Sequence, residues 1–359
     1  MEGQKTPLYS AHQELGAKMV PFCGFIMPVS YSSILEEHQA VRTAAGLFDL
    51  THMGEFELFG PQALSDVSRL VTNNVLRLAV GEAQYTPMCT DDGGIVDDLI
   101  VYRLGEQHVL LIVNAANIAK DRDWVKRHLS SQTRFVDSSD ETALLALQGP
   151  LAPAILSRVF PGCEQLPSFG LVVTLYDGAQ AILARTGYTG EDGFEIVVPN
   201  EKAPSLWKKL LVDPVKPIGL GARDTLRFEA KLLLYGNDID ETTSPLEAGI
   251  AWTVKFDKGE FVGRQVLLAQ KEKGLSRRLV GFKMQGRGIA RHGHDVVLEG
   301  KKVGSVTSGT FSPTLKANLG LAYVPTKLST PGSELNILIR DKEVAAQVVP
   351  TPFYKRTVK

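Results

Sequence analysis

Three carboxylates stand where strand-like sequence would otherwise be apolar. Asp97 and Asp98 interrupt GGIVDDLIVY (Gly93–Tyr102), and Glu195 sits between Phe194 and Ile196 in RTGYTGEDGFEI (Arg185–Ile196). Successive side chains of a strand face opposite ways. Asp97 therefore shares a face with Ile95 and Leu99, and Asp98 with Val96 and Ile100. At least one of the pair meets apolar surroundings, where an ion is costly unless paired or functional. The pair suits acid/base work or stabilisation of a cation; capping a backbone or pairing with an arginine is the structural alternative. A carboxylate such as Glu195 accepts two parallel N–H bonds. It fits a ligand with a guanidine-like edge as well as it fits Arg185 or Arg223.

Other side chains could complete a site. Gly187, Gly190 and Gly193 recur every third residue around Tyr188, Glu191 and Asp192. Glycine permits positive φ and close backbone approach, so a tight turn presenting Tyr188 and Glu195 is expected, against the plainer reading of a hairpin turn with solvated acids. No Gly-Lys-Ser/Thr follows, which excludes a phosphate cradle of that type. Arg223 and Arg227 lie four residues apart on one helical face. They repel unless an anion bridges them, Arg being the preferred carboxylate clamp; the structural alternative is that one pairs with Glu229 or Asp224 and the other is solvated. Trp252 in GIAWTVKF is either a core strand residue or a ring-stacking wall.

Elements must position these groups. Ser33 and Glu36 have capping-box spacing ahead of a helix carrying Ile34, Leu35, His38 and Val41, with Gly46 as its stop. Pro61 opens a second helix through Leu64, Val67 and Leu70–Val71. GGIVDDLIVY and HVLLIVN, separated by Leu104–Gln107, read as a hairpin. Asn117 is placed to cap a third helix with Ile118, Trp124, Val125 and Leu129, and Gly149-Pro150 starts another. The charged stretch Gln270–Arg278 reads as a linker. Short β-rich runs with regular turns follow it, the pattern of a small all-β module.

Composition narrows the class. The 359 residues are more than one core normally holds. Apolar residues make up 44% and the net charge is −1, so no global field points to nucleic acid or an anionic membrane. The three cysteines, Cys23, Cys89 and Cys163, form no CxxC pair, which argues against disulfides or structural zinc and fits a reducing, cytoplasmic setting. No signal-peptide core or membrane-length apolar run occurs. HExxH, GxSxG and GxGxxG are all absent, which disfavours those metal, nucleophile and dinucleotide sites.

Taken together, TPLY (Thr6–Tyr9), GLFDLTHMGE (Gly46–Glu55), GGIVDDLIVY, VNAAN (Val113–Asn117), LALQGP (Leu145–Pro150) and RTGYTGEDGFEI resemble the glycine cleavage T-protein family of aminomethyltransferases. GLGARDTLRFEA, LYGNDID, SPLEAGIAW, VTSGTFSPTL and TPFYKR extend the resemblance over nearly the whole chain. It implies an α+β, three-lobed folate-binding fold: residues 1–270 as two intertwined lobes, the second roughly 52–140, then a barrel-like all-β domain at 278–359. It implies transfer of the methylene carbon of an aminomethyl group on a lipoyl carrier protein to tetrahydrofolate, without metal, releasing ammonia and giving 5,10-methylenetetrahydrofolate. Asp98 then resembles the catalytic aspartate beside the attacking folate nitrogen. Glu195 resembles the reader of the pterin edge, and Arg223 the clamp for the glutamyl carboxylate, with Arg227 as helper or scaffold. Tyr188 and Trp252 look like pocket walls, Met53, Tyr85 and Ile112 like their neighbours; Asn114 lies toward the lipoyl arm, and Tyr354 resembles a tyrosine that the family supplies to the folate tail. A folate-dependent demethylase, or a non-catalytic folate-binding relative, would use a similar scaffold. The first is commonly fused to a flavin domain, for which this chain has neither length nor fingerprint. The second typically carries a C-terminal cysteine signature, and no cysteine follows Cys163.

Overall fold

The structure is a computed structural model and describes residues 2–357. The chain divides into two compact units. One comprises Met1–Leu70, Asn74–Thr86 and Asp97–Asp224, the other Val71–Asn73, Pro87–Val96 and Thr225–Lys359.

Two sheets carry the first unit. A five-stranded sheet runs in the order Glu82–Cys89, Ile95–Gly105, His108–Val113, Gly54–Phe59, Arg134–Asp137. The expected hairpin is its centre: Ile95–Gly105 pairs antiparallel with His108–Val113, with Ile100 opposite Ile112. The six-stranded sheet has the order Leu171–Tyr176, Ala179–Ala184, Gly193–Pro199, Thr142–Gln148, Ala45–Asp49, Val215–Pro217. Its strand Thr142–Gln148 is covered on both faces, which is why it reads as the near-continuous apolar run ALLAL rather than as an alternation. Ala143, Leu145 and Leu147 join Ile155, Leu156, Leu206, Trp207 and Leu210 from two flanking helices in one core.

The capping box forms as expected. Ser33 accepts from the Glu36 amide and Glu36 reaches back to the Ser33 amide, opening the helix Ile34–Thr43. That helix stops earlier than Gly46, which lies inside the strand Ala45–Asp49. A Cβ there would run into Ile218 and Val41, so close packing rather than helix termination requires the glycine. His38 and Val41 are fully buried, but Ile34 and Leu35 are exposed. The TPLY segment has a structural use. Thr6 Oγ1 donates to Asp49 Oδ2 at 2.7 Å, and His12 Nε2 meets the same oxygen at 2.8 Å.

The second unit ends in a closed six-stranded barrel in the order Arg277–Met284, Ala317–Pro325, Lys301–Ser312, Asp295–Leu298, Glu334–Ile339, Lys342–Val349. Closure leaves no unpaired edge, and alternate residues such as Val280, Phe282 and Met284 fill its interior. The first part of the charged stretch read as a linker is helix: Arg264–Lys273 runs into it and ends at Gly274, which has positive φ. Only a short turn then precedes Arg277. Among the described residues no helix is long and apolar enough to cross a membrane.

Arg227 is scaffold in this unit. Its guanidinium, buried, donates to Asp238 Oδ2 at 2.6 Å and to Ser308 Oγ at 3.0 Å. Asp238 is completely buried, so Arg227→Met would strand its carboxylate. A loss of about 3–5 kcal/mol of stability is expected. Denaturant titration checks it, and a loss within the ordinary surface range would mean the pair contributes little.

Candidate active site

The two faces of the strand Ile95–Gly105 differ. Ile95, Asp97, Leu99 and Val101 are essentially inaccessible, whereas Asp98 and Ile100 are partly exposed. Strand alternation thus turns one aspartate inward and the other toward an accessible surface. Asp97 is the structural member. Its Oδ2 accepts the Asn114 backbone N–H at 3.0 Å. Its Oδ1 accepts Asn114 Nδ2 at 2.8 Å and Asn117 Nδ2 at 2.7 Å. Asn117 was expected to cap the helix Ile118–His128; it stands at the N-cap position, but its side chain makes no capping bond and serves Asp97 instead.

Asp98 is held from both neighbouring strands. Tyr85 Oη donates to Oδ2 at 2.8 Å, and Asn114 Nδ2 donates to Oδ1 at 3.0 Å and to the Asp98 carbonyl at 2.9 Å. Continuing the Ile100–Ile112 register by one pleat places Asn114 across from Asp98. Burial first, then the charge of Asp97, pushes the Asp98 carboxyl up to about 7, with the Tyr85 and Asn114 hydrogen bonds acting against them. Such a group changes charge near neutrality, as a residue that handles protons or cations must.

Glu195 is reached from the same face of the same strand. Tyr102, four residues beyond Asp98, lies about 13 Å along the strand at ~3.3 Å per residue, and its hydroxyl donates to Glu195 Oε2 at 3.2 Å. Thr186 Oγ1 donates to that oxygen at 2.5 Å. Among the described residues no donor reaches Glu195 Oε1. The structural alternative of a pair with Arg185 does not hold, because Arg185 makes a two-point bridge to Asp192, at 3.0 and 2.7 Å. Between Asp98 and Tyr102 the accessible face is apolar, with Ile100 opposite Ile112.

The glycine-rich segment that bears Tyr188 uses its glycines unequally. Gly190 has φ +80°, the left-handed turn expected of it. Gly187 and Gly193 are required by proximity instead: a Cβ on either would collide with the side chain of Gln148. Gln148 pins the segment, accepting from Thr189 Oγ1 at 2.9 Å and donating to the Thr186 carbonyl at 3.0 Å. Arg42 closes the other side, donating to the Thr189 carbonyl at 2.7 Å and to Glu191 at 3.0 Å. Sequence reading missed Arg42, Gln148, Tyr102 and Thr186, and gave Asn117 the role of a cap. The polar residue ending the apolar run ALLAL (Ala143–Leu147) was the one available signal for Gln148.

Arg223 stacks over the Tyr188 ring, 4.7 Å from its centroid, so two expected site residues meet directly. It stands close to His52: burial first, then the Arg223 charge, pushes that imidazole down to about 4, keeping it neutral. Met53 follows His52 in the turn entering Gly54–Phe59, its amide bonded to the Leu50 carbonyl at 2.9 Å, and is partly exposed. Trp252 and Tyr354 belong to the second unit. Trp252 lies in the 3-10 turn Ala251–Thr253 and is 58% exposed, which excludes the core-strand reading. The Tyr354 amide is anchored on the Glu229 carbonyl at 2.8 Å.

Known proteins match this architecture along its length. Residues 8–258 fit the model of the GCVT N-terminal domain, and residues 277–355 that of the glycine cleavage T-protein C-terminal barrel domain. The chain therefore belongs to the glycine cleavage T-protein family. An aminomethyltransferase of Halothermothrix orenii is 50% identical over 355 residues, covering 98% of this chain and 99% of that one. One from Rubrobacter xylanophilus is 51% identical over 356 residues, covering 98% and 95%. The crystal structure of the glycine cleavage system aminomethyltransferase T from Bartonella henselae superposes with TM-score 0.93 at 37% identity, covering 98% of each chain. The present chain is accordingly an aminomethyltransferase of the glycine cleavage system.

Proposed function

We propose that the accessible face of Ile95–Gly105 is where tetrahydrofolate receives the methylene carbon, from an aminomethyl group carried on the lipoyl arm of a partner protein. One observation supports this most: two carboxylates of unlike environment flank an apolar floor along a single strand face. Glu195, with Oε2 satisfied internally and Oε1 without a donor among the described residues, has the acceptor geometry for the amino-pyrimidinone edge of a pterin. Ile100, partly exposed opposite the buried Ile112, offers an apolar floor, and Tyr188 and Met53 are assigned as ring walls. Asp98, held between Tyr85 and Asn114, orients the attacking amine and offsets positive charge that develops on the transferred carbon. The arginine–tyrosine pair Arg223–Tyr188 provides a carboxylate clamp whose planar fork is set by stacking. Trp252, Tyr354 and the arm-facing side of Asn114 belong to the same proposal, as do the division into 1–270 and 278–359, action without metal and a cytoplasmic setting.

Mixing the protein with aminomethylated lipoyl carrier and tetrahydrofolate tests the reading. Ammonia and 5,10-methylenetetrahydrofolate are expected in equal amounts. Folate binding without transfer would leave a binding module and overturn it. Arg223→Ala separates the clamp from scaffold: affinity for folate bearing the glutamyl tail should fall about 10- to 100-fold, the range of one or two charge-assisted hydrogen bonds. Affinity for a tail-less pterin should hardly change. Equal losses for both ligands would make Arg223 structural.

A further inference from the structure

Behind Asp98 lies a carboxyl group that the site description has not used. Asp121, in the first turn of the helix Ile118–His128, is completely buried. Neither of its oxygens meets a hydrogen-bond donor among the described residues. Its neighbour is the carboxylate of Asp97, within hydrogen-bonding reach and also completely buried. Two acceptor-only ions cannot share a dry site. Asp97 already accepts three N–H groups, from the Asn114 backbone, Asn114 Nδ2 and Asn117 Nδ2, whereas Asp121 accepts none. Asp97 is therefore the better place for the charge and Asp121 for the proton.

We infer that Asp121 is a positioning residue: it remains a neutral carboxylic acid and donates its proton to Asp97, so that a single negative charge, fixed in place, stands behind Asp98. The inference rests on the reading of Asp98 as the reacting carboxylate. Asp97 holds Asn114 by two bonds, and Asn114 in turn holds Asp98. The rotamer of Asp97 thus passes directly into the geometry of the site. The titratable groups that face the pair come from three elements: Tyr85 from Glu82–Cys89, Asp98 from the strand of Asp97, and Lys120 beside Asp121 on the helix. Lys120 favours ionisation of Asp121, but burial and Asp97 outweigh it and push Asp121 up to about 11. The three aspartates do not converge as a metal ligand set.

Two substitutions and one spectrum test this. Asp121→Asn keeps a donor toward Asp97 and adds no charge; Asp121→Leu keeps the volume and removes the donor. The acid limb of the kcat/KM profile should coincide with the parent's in Asp121→Asn and move by more than about half a pH unit in Asp121→Leu, since Asp97 then faces Asp98 without its fourth hydrogen bond. A limb unmoved in Asp121→Leu, or moved as far in Asp121→Asn, overturns the inference. Infrared difference spectra at alkaline pH give a readout independent of activity and usable if Asp121→Leu fails to fold, because there Asp98 and Glu55, the latter pushed up to about 7 by burial, are both ionised. A carboxylic-acid C=O stretch present in the parent and lost in Asp121→Asn is the expected result; its absence from the parent would show Asp121 ionised and overturn the inference. Failure of the Asp98 reading looks different: the acid limb would survive in Asp98→Asn while the infrared band of Asp121 stayed.

Discussion

Asp98→Asn is expected to cut kcat by at least about 100-fold, the usual cost of removing one electrostatic group from a transition state. Affinity for tetrahydrofolate should change little, because the proposed work of Asp98 lies in the charge that develops during transfer, not in ground-state binding. Single-turnover transfer and equilibrium binding measured side by side decide it. Parallel losses in both would make Asp98 a binding residue. The parent's pH profile follows with a definite sign. The active form is the carboxylate, raised to about 7 by burial and by Asp97. Activity should therefore fall as the pH drops below about 7, and Asp98→Asn should lose that limb.

The same shift makes Asp98 a stability liability. In the unfolded chain the group titrates near ~4, in the folded protein near 7. Between those values the folded state binds more protons, so stability falls as pH rises through the window. Above about 7 the full penalty is present. The neutral variant should accordingly be more stable than the parent at alkaline pH, by up to a few kcal/mol, and hardly different below about pH 4. Opposite signs for activity and stability at one residue mark a group kept for function. Equal melting temperatures across the range would contradict the shift.

Glu195→Gln is the second large effect, and it should fall on binding. Replacing the carboxylate by an amide removes its charge and one acceptor, while the amide oxygen can still accept from Thr186 and Tyr102. Loss of a charge-assisted, two-point interaction should weaken folate binding by about 10- to 100-fold. With folate saturating, kcat should recover to near the parent value. Calorimetry with tetrahydrofolate measures the first expectation and saturation kinetics the second. Unchanged affinity would remove Glu195 from the pterin edge and leave it as a partner of Tyr102 and Thr186 only.

Much of the framework was legible because its signals are local. A capping box depends on two side chains three residues apart, and the helix Ile34–Thr43 opens as the spacing of Ser33 and Glu36 requires. Strand-like apolar runs split by a short polar turn marked the central hairpin, and recurrent short strands marked the closed barrel. Local signals failed where a distant segment competes for the same residue. Gly46 reads as a helix stop, yet it is demanded by Ile218 from far along the chain. Asn117 reads as a cap, yet a buried carboxylate twenty residues earlier claims its amide. The charged stretch after Gln270 reads as linker although it continues an exposed helix, because solvated helix faces and loops share a composition.

By itself the sequence determined which residues carry charge into apolar strands, and, through the two-residue period, that Asp97 and Asp98 must face opposite ways. It also identified RTGYTGEDGFEI as a place where backbone and ring come close to something else. Only the tertiary structure decided which aspartate is exposed, because that depends on what meets each face: Asn117 and Asp121, at the start of the helix Ile118–His128, meet Asp97. Only the structure showed Arg185 bound to Asp192, leaving Glu195 to Tyr102 and Thr186, and Gln148 as the body against which Gly187 and Gly193 pack. Alternation along a strand is a property of the backbone and can be read from the chain; which face is dry is a property of what packs on it.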